Sequence, residues 1–442
     1  MAPFDHDLSR QFGIESNART YSRTINCNIV RGQGSLLFDE HGHRYIDCLA
    51  GAGTLATGHN HPEIVSCLTS FLTSGQILHG LDMVTPAKRI FSEKVIAAFP
   101  EQWRNDLKIQ FCGPTGADAA EAAIKLFKTA TGRSNIIAFH GAYHGMTCGA
   151  LSITGNLKVK DPIQNLMPGV HFLPYPYLFR SPYGVGDEET IDISLHHIRQ
   201  TLVDPESGIS KPAAMIVEAI QGEGGCIPAP LRWLKGLREI CTELDIPLIL
   251  DEVQSGIGRS GAMFAFELAD IQPDAVLLSK AIGGGLPMSL LVYHQKYDRW
   301  APGAHTGTFR GNQLAMIAGT ATLEIIEREQ ILEQTKLKGA VLMHMLEGLK
   351  ARHASIGDVR GTGLMVGIEL VDVGGECDKF GRFPPNGDLA TRVKRRCFEH
   401  GLIVETGGRH GAVVRLLPAL TIETALLEEA VCILDQALGD ER

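Results

Sequence analysis

No apolar run in this 442-residue chain approaches the roughly 20 residues that span a bilayer. No basic stripe stands out either: the net charge is -9 and the pI about 6.0, so nucleic acid is not an expected partner. There is no internal repeat, low-complexity tract or long linker, which excludes solenoids and disordered scaffolds. The opening "MAPFDHDLSR" is polar and lacks a signal-peptide core. Ten cysteines are present without any C-x-x-C spacing, so they read as reduced, mostly buried thiols of a cytoplasmic protein rather than as metal ligands. What remains is ordinary for a globular enzyme, with 44% hydrophobic and 21% charged residues. The length exceeds what one core usually supports, so two lobes are expected.

The first 35 or so residues read as irregular. "GSLLFDEHGHRYIDCLAG" then reads as a hairpin turning at Glu40–Gly42. From about Asn105 to Leu291, short apolar runs alternate with helical stretches. "LKIQFCG", "NIIAFHG", "AAMIVEAI", "PLILDEV" and "AVLLSKA" have the length and continuity of buried parallel strands. Helical patterns at 117–131 and 231–244 lie between them, so a parallel sheet covered on both faces is expected. Beyond Gly311 the chain is helical to about Arg352. A smaller β/α region follows, with strands near "LMVGIELV" and "AVVRLLP". The expected division is 1–55 as an N-terminal segment joining the small lobe, 56–325 as the large lobe and 326–442 as the small lobe.

Ligands gather at the carboxyl ends of parallel strands, and five motifs fall there. "GPTG" at 113–116 leads into a helix, where unpaired first-turn amides favour an anion; a tight turn with Thr115 as N-cap is the plainer reading. "FHGAYHG" puts Tyr143 and His144 in a glycine-flanked loop, suited to stacking on a planar ring or simply to packing. In "VEAIQGEGG", Glu218 ends a strand and Glu223 lies in a glycine-rich loop, where carboxylates are usually just solvated. Asp251 closes "LILD"; a carboxylate there either faces a cation or caps the next turn. Lys280 closes "AVLLSK" just before three glycines, and desolvation at such a mouth makes an amine a better nucleophile toward a carbonyl. Each motif alone is weak. Together they describe a site for pyridoxal phosphate, with phosphate at the helix N-terminus, ring nitrogen at Asp251 and aldehyde at Lys280.

On "LILDEVQSGIGRSG", "SKAIGGGLP" and "GTFRGN", the chain from about Arg31 onward resembles the class III (ω-amino acid) aminotransferases. That resemblance implies a fold-type I α/β transferase, with a mostly parallel seven-stranded sheet in the large lobe and a smaller α/β lobe. It implies that the backbone of Gly116 and Ala117 holds phosphate beside Thr115. Tyr143 stacks on the ring, Val253 packs on its other face, Gln254 reaches the ring hydroxyl, and His144 and Glu218 join the cofactor set. Thr308 is implied to reach the phosphate of a neighbouring subunit, so a homodimer is expected. Arg415 matches the residue that binds an α-carboxylate, and Glu223 matches its partner when the other substrate is bound. No metal is implied.

"ARTYSR", "CLAGAGTLATGHN" and "HTGTFRGN" are similar to the diaminobutyrate:2-oxoglutarate branch of that family. The similarity implies transfer of an amino group between the terminal amine of L-2,4-diaminobutyrate and 2-oxoglutarate, with Arg19, Tyr21 or Arg23 lining the far end of the substrate. Ala219 stands where proline is usual and Arg310 where glycine is usual. Ala52 replaces a bulky aromatic, which speaks against an ornithine-type substrate. An oxidoreductase reading of "GPTGADAAEAA" lacks the G-x-G-x-x-G spacing. A non-catalytic binder leaves Lys280 and Asp251 unexplained, while racemase, mutase and decarboxylase chemistries remain open on this fold.

Overall fold

The computed structural model describes residues 13–441. The stretch read for a signal core and the last residue lie outside them. The large lobe is built on a seven-stranded sheet. Its order is Leu107–Phe111, Leu290–His294, Ala275–Leu278, Leu248–Asp251, Ala214–Val217, Ile136–Phe139 and Val170–Leu173. All are parallel except Leu290–His294, which runs antiparallel to both neighbours. The five apolar runs read from the sequence are strands here. Two strands escaped that reading: Val170–Leu173 is a partly buried edge strand without a continuous apolar signature, and Leu290–His294 follows the lysine loop with only a short 3-10 turn, Lys280–Gly283, and no α-helix between.

The Gly116–Thr131 helix explains how an N-terminus is brought up to the strand mouths. Ala119, Ala120, Ala122 and Ala123 are fully buried against the sheet, and such small side chains let the helix axis approach closely. The helix ends at Gly132 with φ 69°, a left-handed cap suited to glycine. On the other face, Trp233 packs edge-on against Phe139 and donates its indole N–H to Ser194 at 2.9 Å.

The helices Gln313–Arg328 and Ile331–Arg352 lead into a second, antiparallel sheet of order Ile356–Thr362, Met365–Leu370, Val413–Leu416, Glu405–Gly407. The hairpin of Leu36–Asp39 and Arg44–Asp47 forms as expected, and Leu402–Ile403 pairs with Arg44–Asp47 in parallel. The expectation that everything before residue 35 is irregular is corrected. Ile29–Gln33 is a strand beside Leu36–Asp39, half exposed and bulged between Ile29 and Arg31, so it lacks the alternation that marks a strand in sequence.

Candidate active site

The strand ends converge on a cavity of about 780 Å³. Its wall includes Thr115, Gly116, Ala117, Tyr143, His144, Glu218, Glu223, Asp251, Val253, Gln254 and Lys280. Lys280 follows the Ala275–Leu278 strand after Ser279 alone and takes a left-handed backbone, φ 51°. That conformation is unusual for a residue with a Cβ and is held by its surroundings. Ser279 Oγ donates to the Met288 carbonyl at 2.8 Å, and Gly284 turns at φ 60° where a Cβ would lie 2.4 Å from the Ala318 carbonyl. Burial lowers the Lys280 ammonium to about 8, tempered by the charges of Glu223, Asp251 and Glu218. At pH 7 roughly a tenth of it is then the free, nucleophilic amine, several hundredfold more than for a lysine at its ordinary value, at about one tenfold step per pH unit.

Thr115 occupies the N-cap position of the 116–131 helix, but its side chain makes no cap hydrogen bond, so the plainer capping reading is not what the structure holds. The Asp118 N–H turns back to the Thr115 carbonyl at 3.0 Å, which leaves the Gly116 and Ala117 amides to a ligand, with the helix dipole favouring an anion. A Cβ on Gly116 would stand 3.0 Å from both methyls of Val253, so glycine keeps the cup and the Val253 wall together.

Asp251 closes the next turn, the plainer of the two readings, and also meets a histidine. Oδ1 accepts from the Val253 N–H at 3.0 Å, closing the turn, and Oδ2 lies 2.7 Å from His144 Nδ1. His144 is 3% exposed and its Nε2 is buried without a hydrogen-bond partner. Burial opposes charge on this imidazole, but Asp251, by hydrogen bond and charge, and Glu218, by charge, outweigh it and raise its pKa. The solvated reading of Glu218 is corrected: it is 6% exposed, accepting from the Tyr143 N–H and the Gly222 N–H at 3.0 Å each. Burial pushes its carboxyl up to about 7.

Gln254 donates from Nε2 to the Ala52 carbonyl at 3.3 Å, while its Oε1 is buried without a partner. Ala52 sits in a left-handed turn with Ala50, Gly51 and Gly53, beside the cavity-lining Thr54. Strain of this kind gathers where a ligand must be approached closely.

Further out, Arg415 and Glu223 form a two-pronged pair: Nη2 donates to Oε2 at 3.0 Å and Nη1 is 2.8 Å from Oε1. The arginine side chain is 3% exposed and the glutamate side chain 39%. Tyr21 stands in the field of this pair, since burial and then the Glu223 charge raise its hydroxyl pKa. Arg23 is not brought to the cavity: its guanidinium folds back onto the Asn17 and Arg19 carbonyls, stapling the segment to itself. Arg19 donates to the Ser16 carbonyl at 3.4 Å. Thr308 is exposed and lies off this chain's cavity wall, on a short turn, Thr308–Gly311, beside the exposed Phe309. Sequence reasoning missed Thr54, Met146, Leu286 and Met288 in the wall; only adjacence to the chosen motifs would have pointed to them.

The residues fit pyridoxal phosphate on three counts: an uncapped helix start for the phosphate, an unpaired Gln254 oxygen, and a buried carboxylate at the cavity floor. Both Asp251 oxygens keep a free lone pair for a ring N–H. Fold and cavity together define an α/β protein of the mostly parallel-sheet class with a cofactor-sized cavity at its strand ends. The class-III aminotransferase model matches residues 17–438, and the chain belongs to that family. It is 51% identical to a diaminobutyrate–2-oxoglutarate aminotransferase of Rhizobium meliloti over 96% of this chain and 90% of that one. It is 47% identical to one of Haemophilus influenzae, over 100% and 96%. Among solved structures, an amine transaminase from an uncultivated Pseudomonas species in its PLP-bound form superposes with a TM-score of 0.85 at 26% identity, over 97% and 98% of the two chains.

Proposed function

We infer that this chain is a PLP-dependent transaminase that moves an amino group between the terminal amine of L-2,4-diaminobutyrate and 2-oxoglutarate. The observation that carries the reading is the Arg415–Glu223 pair beside Lys280. The cofactor supplies a carbonyl that takes the amine and a ring that draws off the electrons of the broken C–H bond. The protein supplies the rest. Lys280 would hold the cofactor through its aldehyde and, once freed as an amine, would carry the proton to and from the substrate carbon. Asp251, oriented by His144, keeps the ring nitrogen protonated. Gly116 and Ala117 amides with Thr115 hold the phosphate; Tyr143 and Val253 flank the ring.

Two substrates of different shape must use one pocket. Glutamate presents an α-carboxylate beside the reacting carbon, which the Arg415 fork binds. Diaminobutyrate, reacting through its terminal amine, presents none there. Glu223 then neutralises a guanidinium that is costly to leave unpaired in a dry pocket. Tyr21 and Arg19 are assigned to the far end of diaminobutyrate, with Ala52 leaving room. A panel of diaminobutyrate, ornithine, acetylornithine and 4-aminobutyrate against 2-oxoglutarate tests the substrate. Diaminobutyrate should give the highest kcat/KM, and a tenfold advantage for another amine, about 1.4 kcal/mol, overturns the assignment while leaving transamination intact.

The same reading makes the protein a homodimer with Thr308 reaching its neighbour's phosphate. Its support is an apolar patch of Ile77, Leu78, Leu81, Met83, Val84 and Phe309, all exposed on the single chain. The Gly80 N–H bonds the Gly311 carbonyl at 2.9 Å, which joins this patch to the Thr308 turn. Light scattering reads the mass; a fully active monomer overturns the assignment. A cytoplasmic setting is supported by ten free thiols, five of them buried.

A further inference from the structure

Three residues of the small-lobe sheet lie in one row. Arg360 pairs with Gly367 across one ladder, and Gly367 pairs with Arg415 across the next. Residues directly opposite in adjacent strands direct their Cβ atoms to the same face. Two arginines therefore stand on one face, two strands apart, with a glycine between them. The glycine is occupied from outside: a Cβ on Gly367 would lie 2.9 Å from the Gly225 carbonyl and 3.1 Å from Cys226 Cβ. The turn that carries Glu223 thus rests on the bare spot, and the flanking arginines treat it differently. Arg415 takes the Glu223 carboxylate. Arg360 donates from Nε to the Gly225 carbonyl at 2.9 Å.

Arg360 is itself fixed. Nη1 donates to Asp358 Oδ2 at 2.8 Å, Nη2 lies 2.9 Å from Glu369 Oε2, and the guanidinium stacks over the Tyr177 ring. Other bonds complete the grip on the turn. Gly222 N–H is held by Glu218, the Gly222 carbonyl takes the N–H groups of Gly225 and Cys226, and the Glu223 carbonyl takes the Gly408 N–H at 2.8 Å. The main chain on both sides of Glu223 is tied down, so an exchange of its carboxylate has to occur by side-chain rotation alone.

We propose that Arg360, seated beside Gly367, is a positioning residue of this carboxylate gate: it anchors the main chain of 222–226 so that Glu223 returns to Arg415 in register. The proposal rests on the gate reading given above. The test measures single-turnover rates of the PLP form with diaminobutyrate and with glutamate, and their ratio. Glu223→Ala should lower the diaminobutyrate-to-glutamate ratio about tenfold, and Arg360→Met should lower it about fivefold. Adding Arg360→Met to Glu223→Ala should lower the ratio no further, because the anchor has nothing left to position. Arg360→Lys, which keeps the charge near Glu369 but loses the Nε donor, and Gly367→Ala, which pushes on the Gly225 carbonyl, should move the ratio the same way and serve if the methionine variant does not fold. Amide deuterium exchange over 219–230 should quicken in all three, with or without cofactor.

Equal losses with both substrates, additivity on Glu223→Ala, or unchanged exchange would each overturn the anchoring role. If Glu223→Ala moves the ratio and the Arg360 variants do not, the gate stands and the anchor falls. If Glu223→Ala itself leaves the ratio unchanged, the gate reading is wrong and the positioning role falls with it.

Discussion

Two acidic groups flank Lys280, and they are built in opposite ways. The inner one, Asp251 with His144 and Glu218, is buried: 5%, 3% and 6% exposed. Both carboxylates are committed to backbone N–H groups of strand-end loops, and His144 fixes Asp251 further. The outer one, Glu223, is half-buried and its carboxylate pairs with Arg415 alone among the described residues, while its main chain is tied on either side. A cofactor that stays needs partners that do not move; substrates that alternate need one that does. On the proposed reading, the inner set at the ends of the parallel strands would serve the first demand and Glu223, on its clamped turn, the second.

The comparison breaks most severely at its centre. Lys280→Ala should abolish turnover, and borohydride trapping of wild-type protein should label Lys280 and no other lysine. Next comes the fixed side. Asp251→Asn keeps shape but removes the charge facing the ring nitrogen; loss of a buried charge partner costs on the order of 3–5 kcal/mol, so rates should fall by about 10² to 10⁴ with both substrates alike. Near-normal turnover would remove Asp251 from the mechanism. The movable side should behave differently: Glu223→Ala should spare glutamate and cost diaminobutyrate about tenfold, read from the two half-reactions. If both fell together, Glu223 would belong with the fixed set.

Smaller still is a pH effect on the cofactor-free protein. Burial holds Lys280 near 8, below its ordinary 10.5, so the folded state binds fewer protons than the unfolded state between those values. Stability from this group is therefore lowest below pH 8 and is regained as pH rises toward 10.5. Lys280→Met should raise the melting temperature of the apoprotein at pH 7, by the equivalent of about 1–3 kcal/mol, with the gain shrinking as pH approaches 10.5. A gain that persists unchanged at pH 10 would show that the amine is not desolvated. Glu218 runs the other way: held near 7 rather than 4.5, it subtracts stability as pH rises from 4.5 through 7.

Much of the fixed set was legible because a strand end is a sequence feature. Asp251 and Lys280 each terminate an apolar run, and the run predicts both the strand and the mouth. Glu218 ends such a run too, but its environment was misread, since nothing local says that the Tyr143 and Gly222 amides turn toward it. Thr115 was placed correctly as the first residue before the helix, yet its hydroxyl does not cap, because that is settled by a rotamer. Arg23 was grouped with Tyr21 by proximity in the chain; neither lines the cavity wall, and only Tyr21 feels the charge of Glu223.

The sequence by itself determined the alternation of strands and helices, the five chemical groups at strand ends, and, through its resemblance to a family, the pairing of Arg415 with Glu223. Those are matters of local period and residue type. Only the tertiary structure decided that His144 meets Asp251 across 107 residues, and that Arg360, Gly367 and Arg415 share a row against the Glu223 turn. Strand register and the packing of one lobe on another bring together residues from distant parts of the chain, and a one-residue slip would send the Arg360 or Arg415 side chain to the opposite face.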